Sequence, residues 1–329
     1  MNAFEYARPA TVEEAIGLLS AKDGEVAPLA GGTDLLSLMK DFVVEPKRLV
    51  SLMGIAPLQA ITVGKDGLRI GATVTLDALL QSGALNQWAA KWPALWHATA
   101  GIRSLQLRAM GTVGGELLQR PRCWYFRRGH GLLAQEADGS SMVEKGDHRY
   151  HAVFGNAGPA KFVHASSLAP ALIACGATAE IASPKGNRTV QVEELYRTPA
   201  TAGERETALA ADELLVAVTL PRPRPRSATY EVRPRQGLDW PLAAAAVAFE
   251  LDGGGKCVAA RVALGHVAPT PWSVPEAAAL VGKAIDAAAI AGLAAAVAKS
   301  ATPLKGNAYK VELAQVALRR ACAAALKGA

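Results

Sequence analysis

Two short glycine runs stand where apolar strand-like segments give way to helical ones: Leu29-Ala30-Gly31-Gly32-Thr33-Asp34-Leu35 and, about 80 residues later, Gly111-Thr112-Val113-Gly114-Gly115-Glu116. Glycine lacks a Cβ, so backbone N–H groups in such a run can approach a phosphate closely, and the first turn of a following helix adds partial positive charge. One run alone is ordinary, because strand-to-helix turns use glycine for steric reasons. Two runs in successive α/β units point to two subdomains closing on one diphosphate. Neither run is GxGxxG with an acidic residue roughly 20 positions on, and no GxxxxGK[ST] occurs, so the dinucleotide-fingerprint and P-loop readings are both unsupported.

Other chemistry-bearing residues are less patterned. Cys123, Cys175, Cys257 and Cys322 form no CxxC pair, so neither a disulfide framework nor a zinc site is indicated and reduced thiols are expected. Of the histidines, only His148 and His151 lie close together; with Asp147 they suggest either a metal or solvated polar residues, and no third ligand has fixed spacing. No Ser/His/Asp or paired-carboxylate arrangement can be argued, and no acid–base catalyst is assigned. Arginines cluster at Arg120, Arg122, Arg127 and Arg128 and again at Arg222, Arg224, Arg226, Arg233 and Arg235. Solvated charge and a partner-docking surface are both open for the first cluster.

The elements that must position these residues follow from periodicity. Thr11-Val12-Glu13-Glu14 reads as a capping box opening a helix with Val12, Ala15, Ile16 and Leu19 on one face. Strands are expected at Glu25 to Leu29 and Arg48 to Leu52 around a helix at Leu35 to Phe42. Ile61 to Val63 and Leu68 to Val74 form a hairpin turned by Lys65-Asp66-Gly67. Helices follow at Leu76 to Gln81 and Trp88 to Ala100. Ser166 or Ser167 caps a helix over Leu168 to Cys175, ahead of strands at Ala177 to Ala182 and Thr189 to Leu195 turned by Pro184-Lys185-Gly186-Asn187. A strand at Leu214 to Leu220 is ended by Pro221-Arg222-Pro223-Arg224-Pro225-Arg226, which cannot continue a central ladder. Beyond it, strands at Thr229 to Arg233, Leu242 to Leu251 and Cys257 to His266 form a meander, with helices to the end. Between Cys123 and Pro159 lies a glycine-containing stretch without periodicity, a length of loop that is usually functional or mobile.

The chain has 329 residues, 50% hydrophobic and 19% charged, which excludes disordered, collagen-like and coiled-coil classes and predicts two or three domains. The net charge is +6, and aromatic residues are only 5%, too few for the stacking platforms of a nucleic-acid binder. No secretory signal is visible at the N-terminus, and the apolar run Ala287 to Ala298 is well short of the ~18 residues that a membrane span requires.

Phe4 through Ser20, Pro28 through Leu36, Gly111 through Gly115, Arg120-Pro121-Arg122-Cys123-Trp124-Tyr125 and Asn307-Ala308-Tyr309-Lys310 together resemble the FAD-binding medium subunit of the xanthine dehydrogenase and aldehyde oxidoreductase family of molybdenum hydroxylases. The resemblance runs over essentially the whole chain. It implies an α+β fold: a two-subdomain FAD-binding domain of the vanillyl-alcohol-oxidase (PCMH) type at 1–220, with subdomains of about 1–55 and 56–220, then a CO-dehydrogenase-flavoprotein-like C-terminal domain at 221–329. It further implies FAD as cofactor. Carried over by position, Leu29, Ala30, Gly31, Gly32, Thr33, Asp34 and Leu35 are the first pyrophosphate loop and Gly111, Thr112, Val113, Gly114, Gly115 and Glu116 the second. Ser167, Leu215 and Arg233 are further flavin contacts. The family commonly has Asn where Ala109 and Glu116 stand, Asp where Ser167 stands, and a lysine near Arg233 that is missing here. Trp240 and Trp272 are expected to pack the C-terminal domain, with stacking on the flavin as the alternative.

The implied function is an electron relay. A large subunit holding molybdopterin and a small subunit holding two [2Fe–2S] clusters would complete a heterotrimer, or a dimer of heterotrimers, and electrons would pass through FAD to NAD⁺, oxygen, a quinone or a protein. Some relatives bind a [4Fe–4S] cluster through four cysteines in the loop that begins near Cys123; this chain keeps only the first, and a cubane needs about four thiolates, so none is expected. The alternatives are a stand-alone flavin oxidase of the same superfold and a basic partner- or RNA-binding module. Localisation is expected to be cytoplasmic, or periplasmic by co-export with a signal-bearing partner.

Overall fold

Thr11 Oγ accepts the N–H of Glu14, and the Glu14 carboxylate reaches back to the N–H of Ala10, so α1 (Val12–Leu18) begins at the expected cap. The structure is a computed structural model and describes residues 1–65, 67–82, 90–235 and 238–327. Strands β1 (Glu5–Ala7), β2 (Val26–Leu29) and β3 (Arg48–Ser51) form a parallel sheet in the order β1-β3-β2. Parallel neighbours need crossovers, and α1 and α2 (Leu35–Lys40) supply them. Ala15, Val50, Leu52, Ile55 and Leu58 bury the interior face, together with Leu214 from the next sheet.

That second sheet is antiparallel, with strands β4 (Ile61–Gly64), β5 (Gly67–Gly71), β6 (Thr178–Ser183), β7 (Gly186–Gln191) and β8 (Leu214–Leu220) in the order β4-β5-β8-β6-β7. The hairpin falls where it was expected, although Asp66 of its turn lies outside the described residues. The strand expected over Thr189 to Leu195 stops at Gln191. Val192–Leu195 is a single 3-10 turn, because the Glu194 carboxylate caps the Gln191 N–H at 2.6 Å and closes the chain on itself.

Helices α3 (Leu76–Gln81), α4 (Pro93–Gly101), α5 (Leu105–Met110), α6 (Val113–Leu118) and α7 (Leu168–Cys175) pack around this sheet. The helix expected from Trp88 starts at Pro93, and Trp88 lies outside the described residues. Every residue of α7 is buried, because it is clamped between the second sheet and the third. Ser166 Oγ accepts the N–H groups of Leu168 and Ala169, while Gly176 ends the helix in the left-handed conformation at φ 73°.

The third sheet is the expected meander: β9 (Ser227–Val232), β10 (Ala243–Leu251), β11 (Cys257–Gly265) and β12 (Trp272–Ser273), antiparallel in the order β12-β11-β10-β9. Its seven consecutive buried residues Ala243 to Phe249 do not alternate with polar ones because both faces are covered. α7 lies on one face, and the C-terminal helix α9 (Tyr309–Lys327), itself packed on α8 (Ala287–Lys299), lies on the other.

The aperiodic stretch after Cys123 contains single helical turns at Trp124–Arg127 and Met142–Lys145 and is fastened to the start of α9. Lys310, fully buried, donates from Nζ to the carbonyls of Tyr150, His151 and His266 at 2.9, 3.1 and 2.8 Å. Asn307 Nδ2 donates to the carbonyls of His151 and Ala152. Without a ladder of its own, this segment satisfies its buried carbonyls through two side chains from more than 150 residues away.

Candidate functional site

β2 delivers the first glycine run to a cleft of about 310 Å³ between the first and second sheets. All of Leu29 to Leu35 line it, facing Ala72, Thr73, Thr112, Gly114, Gly115 and Leu215. The N–H groups of Gly31, Gly32, Thr33 and Asp34 have no protein acceptor among the described residues, so four donors in succession face a space that an anion can occupy. Gly32 sits at φ 71°, a conformation in which a side chain is strained.

The second run is built differently from what the spacing predicted. It is the opening turn of α6, capped by Thr112, and its N–H groups are already spent: Val113 on the carbonyl of Val74, Gly114 on that of Ala72, Gly115 on Thr112 Oγ and Glu116 on the Thr112 carbonyl. Val113 points into the core. The run therefore shapes the wall of the cleft, and the N–H groups of Val113, Gly114, Gly115 and Glu116 are taken up within the protein. Gly114 is glycine because a Cβ there would lie 2.9 Å from both the Cβ and the carbonyl oxygen of Ala72.

The Asp34 side chain is engaged within the protein. Its carboxylate accepts the Arg120 N–H and pairs with Arg122 and Arg127, each at 2.8 Å. Arg120 itself pairs with buried Glu206. Three of the four arginines in the first cluster thus hold the cleft's rim to the segment after α6, and Arg128 alone is exposed. In the second cluster Arg222 and Arg224 share Glu250, Arg226 donates to the Leu326 carbonyl, Arg233 pairs with Glu231 and Arg235 with Asp239. Each of these five has a partner, although Arg222, Arg226 and Arg235 stay exposed.

The cleft continues past Thr33, Asp34, Thr112 and Gly115 into a smaller cavity of about 130 Å³. Gly111, Glu116, Ser167 and Arg233 line it, so the remaining expected positions converge here despite their separation in sequence. Ser167 is the hub: its N–H donates to Glu116 Oε1 at 2.8 Å, and its Oγ donates to Glu231 Oε1 at 2.5 Å. Glu231, Ala72, Thr73 and Gln119 were not anticipated. No local pattern marks them, although Glu231, near the end of β9, pairs with Arg233 just beyond it. Leu238 and Trp240 close the mouth, and the Arg122 guanidinium stacks 4.7 Å from the Trp240 ring centre. Trp240 is 45% exposed, which corrects the expectation that it packs the C-terminal domain; Trp272 does pack, stacked on Phe154.

Burial dominates the titrating groups. It holds His151 down to about 4 and His164 to about 3, so both are neutral. It raises the Glu116 carboxyl from its ordinary 4.5 to about 7, against the lowering effect of the Ser167 hydrogen bond and of Arg122. His148 has both ring nitrogens in hydrogen bonds, to the Val143 carbonyl and the Gly306 N–H. Among the described residues no group of three or more His, Cys, Asp or Glu side chains is placed to hold a metal.

Comparison with known proteins places these features among relatives. Residues 2–223 match the family described as FAD binding domain in molybdopterin dehydrogenase, and residues 228–325 match the CO dehydrogenase flavoprotein C-terminal domain. The chain is 34% identical over 320 residues to the aldehyde oxidoreductase FAD-binding subunit PaoB of Escherichia coli (strain K12), covering 96% of each chain. It is 32% identical over 327 residues to the carbon monoxide dehydrogenase medium chain of Afipia carboxidovorans, covering 97% of this chain and 96% of that one. Among solved structures, a chain of the reconstituted CO dehydrogenase from Oligotropha carboxidovorans superposes with a TM-score of 0.77 at 29% identity, over 100% of this chain and 99% of the other.

Proposed function

Because the chain belongs to the family of FAD-binding medium subunits of molybdenum hydroxylases, and is thus a flavoprotein subunit of an oxidoreductase, we propose that it relays electrons from iron–sulfur clusters in a partner subunit to an external acceptor. The observation that carries this reading is the succession of unpaired N–H groups from Gly31 to Asp34, which fits the pyrophosphate of FAD. Bound FAD supplies a carrier that accepts two electrons and can release them singly or as a pair. Gly31, Gly32 and Thr33 hold the diphosphate. The apolar end of the cleft, at Val26, Pro46, Leu209 and Leu214, suits the adenine, and the polar continuation at Glu116, Ser167 and Arg233 suits the hydrogen-bonding edge of the flavin ring. Asp34 with Arg122 and Arg127 keeps the first loop closed on the body that carries the ring.

The partners in this reading are a molybdopterin-binding large subunit and a [2Fe–2S] small subunit. A [4Fe–4S] cluster is not part of it, since Cys123 is the only thiol in its segment. The two-domain division at Pro221 to Arg226 belongs to the same reading, and that segment joins the last strand of the second sheet to the first strand of the third. Among the described residues no helix is long and apolar enough to cross a membrane; the proposed location is the cytoplasm, or the periplasm by co-export with a partner. A stand-alone oxidase of the same superfold is the weaker reading, because no His or Cys stands in either glycine run for covalent flavin attachment.

The purified chain is expected to show flavin absorption at about one FAD per chain, and a colourless protein with no FAD affinity overturns the proposal. Co-purification with a molybdenum-containing subunit separates the relay from the oxidase. Iron and acid-labile sulfide in stoichiometric amount in the isolated chain would refute the absence of a cubane.

A further inference from the structure

Two carboxyl groups meet at Ser167 on the wall of the smaller cavity, and they are not alike. Glu231 is ion-paired: one oxygen takes the Ser167 hydroxyl and the other takes Arg233, so its charge is balanced. Among the described residues Glu116 has no cation at bonding distance. Its oxygens accept from neutral donors, the Ser167 N–H at 2.8 Å and the Gln119 amide at 2.6 Å, while the nearby Arg122 is engaged with Asp34. Burial favours the protonated form of Glu116 while the two neutral donors favour its carboxylate, and no ion pair locks it in either form.

The groups that face it are accounted for from each side. Arg122, from the segment after α6, favours the charge on Glu116; Glu231, from β9, opposes it. Burial pushes the Tyr196 phenol far up, with the Glu116 charge adding to it from the third side, so it stays protonated. His266, 3.4 Å from Ser167 Oγ, is held neutral by burial. Arg103 and Asp239 line the same cavity farther out. The balance leaves Glu116 at about 7, where it responds most strongly to any new charge in the cavity.

We propose that Glu116 takes up a proton from solvent when electrons enter FAD bound in this cleft, so that the arriving negative charge is compensated within the cavity. The inference rests on the FAD reading above. Two electrons from a reductant, the partner's iron–sulfur clusters in the complex or dithionite in a test, enter the ring with one proton from water and leave it one negative charge richer. A second proton from water converts the Glu116 carboxylate to the acid, an O–H bond forms there, and the cavity's net charge is unchanged. Like charge raises the proton affinity of a carboxyl, and the effect is large where water is partly excluded. Glu116 is a charge-compensating group in this scheme and transfers no proton to the ring.

The test measures the midpoint potential of the FAD-loaded full chain against pH, together with protons taken up per flavin reduced, counted with a pH indicator. Above about pH 7 the wild type is expected to bind about two protons per two electrons and Glu116→Gln about one, so the potential of the variant falls with pH about half as steeply. Glu116→Asp restores the steeper dependence. Equal slopes and equal proton counts in wild type and Glu116→Gln overturn the inference, and Glu116→Asn provides the same comparison if the glutamine variant does not fold. A wild-type chain that binds no FAD is a different result: it refutes the functional reading itself.

Discussion

The backbone of Gly31 lies against the carbonyl oxygen of Met110 so closely that a Cβ at position 31 would overlap it. The first glycine run is thus seated directly on the end of α5, one residue before the second run begins. Two subdomains meet at this contact, and only hydrogen fits between them.

Gly31→Ala is therefore expected to push the first run off α5 and to weaken FAD binding at least about tenfold, or ~1.4 kcal/mol. Gly17→Ala is the control, since that glycine lies in α1 with no neighbour within 4 Å of an added Cβ; it should leave affinity alone and stabilise the fold by about 0.5–1 kcal/mol. Flavin fluorescence titration and urea denaturation read the two effects. Unchanged affinity in Gly31→Ala refutes the close-approach argument.

Asp34→Asn keeps an acceptor but removes the charge that holds Arg122 and Arg127, both 2.8 Å away and largely buried. Two guanidinium groups then face each other without a counter-ion, at a cost of about 2 kcal/mol. Urea unfolding should show that loss, and FAD affinity should fall as well because the first run is no longer tied to the body. A variant as stable as wild type would mean that the arginines find other partners.

Lys310→Met removes the ammonium that donates to the carbonyls of Tyr150, His151 and His266, of which only that of His151 keeps a second donor, Asn307, and should cost about 3 kcal/mol in guanidinium unfolding. Limited proteolysis should then cut first between residues 123 and 160, the segment this side chain anchors. Loss of stability without a change in cleavage site would separate α9 packing from loop anchoring.

Glu116 is raised in the folded chain from its ordinary 4.5 to about 7, so the native state holds a proton that the unfolded state releases. The sign follows: its contribution to stability is full below about pH 4.5 and is lost as pH rises through about 7, by on the order of 2–3 kcal/mol after allowance for its opening to the cavity. Compared with Glu116→Gln, the FAD-free wild type should lose stability across that window in urea titrations. Parallel stability curves for the two proteins would refute the assignment.

Where a segment's fate depends on its own few residues, it was readable. Thr11 and Glu14 start α1 through hydrogen bonds within five residues, and α3 begins at Leu76 because Thr75 caps it. The meander was legible because its turn residues and apolar stretches are contiguous. Local reasoning erred where a nearby side chain closed the chain early, as Glu194 does at Gln191, and where a helix began at a proline five residues after the expected start.

What the sequence by itself determined is the set of elements, their order, and the two positions where glycine admits close backbone approach, since φ preferences, caps and periodicity act over a turn or two. Which backbone donors stay free was decided only by tertiary packing. Both glycine runs have the same local chemistry, yet the carbonyls of Val74 and Ala72, about 40 residues earlier, take the N–H groups of Val113 and Gly114 in the second, and no described residue takes those of Gly31 to Asp34 in the first. The arginines follow the same rule: Asp34 finds Arg127 across 93 residues, and Ser167 finds Glu231 across 64. A hydrogen bond or ion pair is settled by which groups the folded chain brings within about 3 Å, and no spacing along the sequence encodes that.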